Sequence, residues 1–459
     1  MGTTMNPQKN TRKHPPGLYL LFLTEMWERF SYYGMRGILV LYLTKDLISG
    51  GLGMSSAVAL SIYGFYTGAC YITPLIGGWL SDMYLGKRLA ITIGGVTMAL
   101  GNFIMFLGDA QWSMYTGLLL LILGNGFFKP NISSLVGDLY EENDPKRDAA
   151  FTIFYMGINL GAFFAPLVIA LVTDKIMGGM QGDVFVHGYK YGFLISSIGM
   201  VIGQVMFNVL GNKYLGNLGK KPVGKQITGN NVEAKNKPLT KIEKQRTAAI
   251  LILACFVVFF WAGFEQAGSS LTLYTDKFVD RTIFGFEIPT PWFQSVNPLF
   301  IILLAPLVSM LWLKLARSKR GDFSSPTKMA IGMILLGLGY MILLVAILGT
   351  GNNEEAIVSK AHIIFIILTY LFHTLGELFL SPVGLSTVSR IAPVKLASLL
   401  MGVWLASSGV ANILAGQIAK VTQSLGYFEV FAVIGGMAIL IGLILLAFSK
   451  KLTTLMNVD

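Results

Sequence analysis

PGLYLLFLTEMWERFSYYGMRGILVLYL, residues 16–43, is long and apolar enough to cross a bilayer, yet it carries Glu25, Glu28, Arg29 and Arg36, with Tyr32 and Tyr33 among them. A charge at the centre of a membrane helix costs at least ~2.5 kcal/mol, so such groups line a protein interior or an aqueous cavity and mark a functional site. Spacings of three, four and seven set them along one helical face. Leu, Phe and Ile are left to meet lipid or neighbouring helices.

The rest of the chain belongs to the same solvent. Of 459 residues, 54% are hydrophobic and 13% charged, and the mean hydropathy is +0.63, far to the apolar side of an ordinary globular protein. Stretches able to span a bilayer, at about 20 residues each, are predicted at 18–43, 55–80, 88–108, 113–138, 149–173, 190–210, 247–274, 291–316, 327–349, 360–389, 397–424 and 426–449. The fold class read from them is an all-α polytopic membrane protein with 12 transmembrane helices. Six precede a polar linker, 211–246, and six follow it. The units are therefore an N-terminal tail (1–17), a six-helix bundle (18–210), the linker, a second six-helix bundle (247–449) and a C-terminal tail (450–459). The first apolar segment is too long for a signal peptide and is expected to stay as helix.

Charge orients the loops. With the N-terminus cytoplasmic, 25 of the 35 Lys and Arg fall on inner segments and seven on outer ones, and Arg29, Arg36 and Lys129 lie within spans. The positive-inside rule then puts both termini in the cytoplasm. The net charge of +11 follows from those inner loops facing anionic lipid. Basic residues scattered without an aromatic platform argue against nucleic acid as a partner.

Other chemistry is sparse. Cys70 and Cys255 fall within spans of opposite halves and read as separate thiols. His14, His187, His362 and His373 lack metal-ligand spacing, so no metal site is expected. His373, near Glu377, reads as a hydrogen-bonded structural residue, with proton relay as the alternative. No nucleophile, metal cluster or nucleotide loop supports an enzyme.

The remaining intramembrane charges form a second group. Lys129 is in the fourth span, Glu265 in the seventh and Glu377 in the tenth. The N-terminal half thus supplies three cations with Glu25 and Glu28, and the C-terminal half only carboxylates. A cavity between the halves would have a positive and a negative wall, suited to a zwitterion. Three cations against four carboxylates leave one acid formally unpaired, a candidate site for a coupling proton. Charges that merely pair to hold the bundle together are the alternative.

Glu25-Met-Trp-Glu28-Arg29-Phe30-Ser31-Tyr32-Tyr33 resembles the ExxERFxYY signature of the proton-dependent oligopeptide transporter (POT) family, a branch of the major facilitator superfamily. Phe154-Tyr155 through Asn159, Phe128-Lys129-Pro130-Asn131, Phe264-Glu265-Gln266 and Gly376-Glu377 also resemble its pattern, and Gly77 through Arg88 is similar to the superfamily's loop motif, in which a carboxylate and basic residues stabilise one conformation. Many bacterial relatives insert two further helices where 211–246 here is too polar to span.

The resemblance implies a proton-coupled symporter of di- and tripeptides in the cell membrane, with small peptides, protons and membrane lipid as partners. It needs no cofactor beyond the proton gradient and works as a monomer. Glu25, Glu28, Arg29 and Glu265 would couple protons. Arg36 and Lys129 would receive the peptide carboxylate, Glu377 the amino terminus, Tyr33, Tyr71, Asn159 and Asn297 the peptide amide and carboxylate, and Trp261 and Trp404 the side chains. The pairs Arg36–Glu265 and Lys129–Glu377 would close the outer side. A nitrate or drug carrier of the same superfamily, and more remotely a membrane-embedded enzyme, are the alternatives.

Overall fold

The computed structural model describes residues 14–456 except 109, 142–143, 145, 223–238, 319–320, 351–358 and 394. The chain is mostly helical. Helices α1 (Pro16–Thr44), α2 (Ser56–Leu80), α3 (Lys87–Leu107), α4 (Gln111–Asp138), α5 (Lys146–Ala170) and α6 (Tyr189–Leu215) come first. They are followed by α7 (Lys241–Phe264), a short α8 (Ser270–Phe278), α9 (Val296–Ala316), α10 (Ser325–Thr350), α11 (Ile364–Ile391), α12 (Ala397–Leu425) and α13 (Tyr427–Met456). Among the described residues, ten helical segments are long and apolar enough to cross a membrane. α1 is not one of the ten: it is 29 residues long but holds the charges that define the site.

Helix continues beyond the expected spans at both sides of the linker. α6 runs on to Leu215, and α7 begins at Lys241 behind a capping box, in which Thr240 Oγ1 accepts from Glu243 N–H at 3.2 Å and Glu243 Oε2 accepts from Thr240 N–H at 2.8 Å. The middle of the linker, including Lys225, lies outside the described residues. Residues 450–456, expected as tail, continue α13.

Short connections make successive helices antiparallel. α1 packs on α5 and α6, α3 on α4 and α6, and α10 on α11 and α13. The buried apolar residues form two large clusters, one drawn from Leu18 to Leu215 with Leu273 and Ala419, the other from Ala249 to Met456. α2 against α12 and α5 against α9 join them. The α2–α12 contact is made backbone to backbone: a methyl added to Gly64 would lie 2.6 Å from Gly416 Cα, and one on Gly416 would lie 2.7 Å from Gly64 Cα. With no hydrophobic drive between helices in lipid, such close approach supplies the van der Waals contact that holds them.

Gly416→Val is therefore expected to cost about 1–3 kcal/mol through overpacking, read as a lowered thermal unfolding temperature in detergent. Gly436→Ala, where a methyl meets open space, is the control and should unfold with the wild type. Equal unfolding temperatures for Gly416→Val and wild type would show that α2 and α12 do not depend on this approach.

Candidate functional site

The helical spacing of α1 brings its charges together. Arg29 Nε lies 2.7 Å from Glu25 Oε1, one turn back, and 2.8 Å from Glu28 Oε2. Asn125 Nδ2 of α4 donates to Glu28 Oε1 at 3.4 Å. All three charged residues are buried, so the guanidinium is shared between two carboxylates with almost no water to screen them.

Further along the same face, Arg36 crosses to the other half of the chain. It forms an ion pair with Glu265, and its Nε donates to Tyr63 Oη at 2.5 Å. Glu265 is available there because α7 ends at Phe264 and the chain passes through a tighter turn, Glu265–Gly268, before α8 resumes. Gly268 is required by this arrangement. A methyl at that position would run into the Tyr63 hydroxyl and come within 3.0 Å of Arg36 Nη2.

Arg36, Glu265 and Gly268 border a central cavity of about 280 Å³. Of the residues expected from the sequence, Tyr33, Arg36, Tyr71, Asn159, Trp261, Glu265, Asn297, Glu377 and Trp404 line it. Asn297 Nδ2 donates to Glu377 Oε2 at 2.9 Å, which fixes the carboxylate toward α9. Asn159 Nδ2 donates to Tyr155 O on its own helix at 3.0 Å. Trp261 stands edge-on to Phe264, their ring centroids 5.1 Å apart, and Trp404 is buried against Gly384.

Glu25, Glu28, Arg29 and Lys129 are not part of the cavity lining. Lys129 lies behind it, its Nζ 3.9 Å from the centroid of the Tyr71 ring, a cation–π contact. The Lys129–Glu377 pair expected from the sequence is not among the ion pairs of the described residues. Lys129 instead rests on the Tyr71 ring, in the half of α4 nearer Asp138. Asp82 is likewise outside the described ion pairs, and Lys87 of the loop motif instead reaches Asp138 at 2.5 Å, at the end of α4.

The closed end was not legible from motifs. Lys45, at the end of α1, meets Asp276 of α8 at 2.6 Å, and Thr290 Oγ1 donates to the other Asp276 oxygen at 2.8 Å. Lys175 Nζ sits 4.8 Å from the Phe286 ring centroid. Ser295 Oγ donates to Phe163 O at 2.8 Å and Trp292 Nε1 to Leu167 O at 3.2 Å. Tyr155, quoted above only as part of a signature, lines the cavity, and sequence reasoning missed Tyr63, Tyr370 and Gln294. Each is a neutral polar residue among many, and only the fold distinguishes it. His373 is buried beside the Tyr340 ring, with centroids 4.8 Å apart, on the cavity wall near Glu377.

The sequence profile of the POT family matches residues 88–222 and 220–434. A peptide transporter of Yersinia enterocolitica subsp. palearctica, YePEPT, is 34% identical, with 88% of this chain and 87% of that protein aligned. A di-/tripeptide transporter of Lactococcus lactis subsp. cremoris is 30% identical over 96% of this chain and 97% of its own length. A crystal structure of a POT family transporter in complex with 5-aminolevulinic acid superposes with a TM-score of 0.86 at 32% identity, covering 97% of this chain and 99% of that one.

Gly268→Ala is expected to push Tyr63 and Arg36 off Glu265 and so loosen the closed end. Spin labels on Ile48 and Phe284, two exposed positions there, in protein lacking Cys70 and Cys255, should report longer separations in the variant. An unchanged distance distribution would show that the Arg36–Glu265 contact does not hold that end shut.

Proposed function

The chain belongs to the POT family, and on that premise we propose that it is a proton-coupled symporter that imports di- and tripeptides by alternating access. The observation that carries this reading is the joining of Arg36 to Glu265 across one border of a cavity whose wall holds Glu377 and Asn297. A small peptide has a carboxylate at one end, an ammonium at the other and an amide between. The cavity offers groups for each, with aromatic walls that tolerate varied side chains.

The architecture we propose is twelve membrane helices in two six-helix bundles, 18–210 and 247–449, joined by the cytoplasmic linker 211–246. The two separate apolar clusters support it. The protein would be a monomer in the plasma membrane with both termini cytoplasmic, as the positive-inside count favours. On that orientation the closed end faces outward.

Arg36–Glu265 then closes the outer side. A proton on Glu265, or a peptide carboxylate on Arg36, removes what holds the pair and shifts the population toward outward opening. Lys129 lies toward the inner end, so its pairing with Glu377 would close the cytoplasmic side in the opposite conformation. Glu25, Glu28 and Arg29 would couple the two events. Two carboxylates on one guanidinium hold excess negative charge, and a proton arriving there changes the field felt by Lys129, one turn along α4 from the Glu28 partner Asn125. Tyr33, Tyr71 and Asn159 would bind the amide and carboxylate, Glu377 the ammonium with Asn297 orienting it, and Trp261 and Trp404 would bound the side-chain pockets. No cofactor enters this cycle. The gradient of protons drives it.

In liposomes with an inward proton gradient, labelled dialanine should accumulate above equilibrium, and collapsing the gradient should abolish the accumulation. Failure to accumulate, with protein shown to be folded and inserted, would reject symport. Glu28→Gln should lose this uphill uptake while keeping more of its peptide exchange between preloaded and labelled pools, because exchange needs no net proton cycle. Normal accumulation by Glu28→Gln would move the coupling role elsewhere.

Glu377→Gln should weaken dipeptides with a free amino terminus by roughly tenfold or more, the worth of a hydrogen bond to a charged group. N-acetylated analogues should be weakened far less. Competition against a labelled peptide reads both, and equal weakening would make Glu377 structural.

A further inference from the structure

A second cavity, of about 620 Å³, opens between α9, α10, α11 and α13 at the end of the molecule opposite the Lys45–Asp276 contact. It does not belong to the peptide path. On α11 Tyr370, His373, Glu377, Leu380, Ser381 and Leu385 face the central cavity, whereas Pro382, Val383, Ser386 and Arg390 face this one. At about 100° per residue these sets lie on opposite sides of the helix, so the second cavity opens to the periphery of the protein, where lipid is the neighbour.

Its chemistry is divided in two. The polar part holds Lys328, Ser324, Ser325, Ser386 and Arg390, and the apolar part Trp312 and Phe323. Lys328 is buried, with 8% of its surface exposed. Its Nζ lies 2.5 Å from Asp322 Oδ2 and 4.1 Å from the Trp312 ring centroid. Arg390 is exposed at the rim and makes no ion pair among the described residues. Phe323 is half-exposed beside it. A buried lysine that has one carboxylate for company, a second cation without one and several hydroxyls can together surround a phosphate oxygen cluster. An aromatic wall next to such a pocket suits the start of an acyl chain.

We propose that this cavity binds the phosphodiester headgroup of an anionic phospholipid of the inner leaflet, with Arg390 and Lys328 as its cationic contacts and Trp312 and Phe323 along its glycerol and upper acyl chain. Basic pockets between membrane helices on the cytoplasmic side are suited to such headgroups. Asp322 competes with the lipid for Lys328, which limits affinity and keeps the lysine neutralised when the cavity is empty. The leaflet assignment uses the orientation proposed above. The site itself rests on the cavity and its side chains, and its test does not depend on transport.

The test is lipid retention by the purified full chain, stripped of lipid and re-exposed to equal phosphatidylglycerol and phosphatidylcholine, read by native mass spectrometry. The wild type should retain phosphatidylglycerol in preference. Arg390→Gln should lower that preference about fivefold, the worth of one basic residue near a headgroup. Asp322→Asn, which frees Lys328, should raise it, a direction that misfolding does not produce. Lys220→Gln, an exposed cation at the same end of the other half, should leave it unchanged. Equal retention of the two lipids, no change in Arg390→Gln and Asp322→Asn, or an equal loss in Lys220→Gln would overturn the proposal. Displacement of the lipid by inorganic phosphate would also overturn it, in favour of a free-anion site.

Discussion

A charge that cannot reach water must be answered by another charge, and in this molecule the answers lie on different helices. Arg36 would be intolerable in α1 alone. Paired with Glu265 and supported by the Tyr63 hydroxyl, it becomes a contact between the two halves of the chain. Much else follows from keeping that contact possible: the break in α7 that presents Glu265, the bare backbone of Gly268 that leaves room for Tyr63, and the cavity that begins where the pair ends. The pair is worth little as a source of stability, because desolvating both ions offsets most of their attraction. Its value is that it can be exchanged for another arrangement.

That exchange distinguishes the two groups of charge. Glu25, Glu28 and Arg29 are neighbours on one helix and stay together whatever the halves do. Arg36–Glu265 and Lys45–Asp276 join elements on opposite sides of the linker and exist only while those elements are close. Lys129, resting on Tyr71, is between these cases. It lies one turn along α4 from Asn125, which touches the α1 cluster, and makes no ion pair with a carboxylate of the other half among the described residues. A transporter needs both kinds: a group whose charge state changes in place, and contacts that respond by forming or breaking.

Most of the helices could be read from apolar runs of bilayer length, and the α1 cluster from spacing alone, since Glu25 and Arg29 at i and i+4 must share a face. The cavity was legible in its charged and signature residues because charge inside a span is rare enough to stand out. Tyr63 and Tyr370 were not, being two of 18 tyrosines with nothing local to single them out. Lys45 and Asp276 sit at helix ends, where charge is ordinary, so only their convergence gives them meaning. The Lys129–Glu377 pair was expected from the family resemblance. Sign does not fix contact: Lys129 rests on the Tyr71 ring and Glu377 accepts from Asn297. The helix extensions into 211–246 were visible in principle as the Thr240-x-x-Glu243 cap, which polarity concealed.

The two contacts that α1 makes with the segment Glu265–Asp276 resemble the rungs of a ladder, with unlike surroundings. The inner rung, Arg36–Glu265, is nearly enclosed, while the Lys45 side chain of the outer rung is one-third exposed. Salt in the surrounding medium screens exposed charges far more than enclosed ones. Ionic strength at that end therefore loosens the Lys45–Asp276 rung more than the Arg36–Glu265 rung. The exposed contact can then part while the enclosed one beside the central cavity holds, so the two are lost under different conditions.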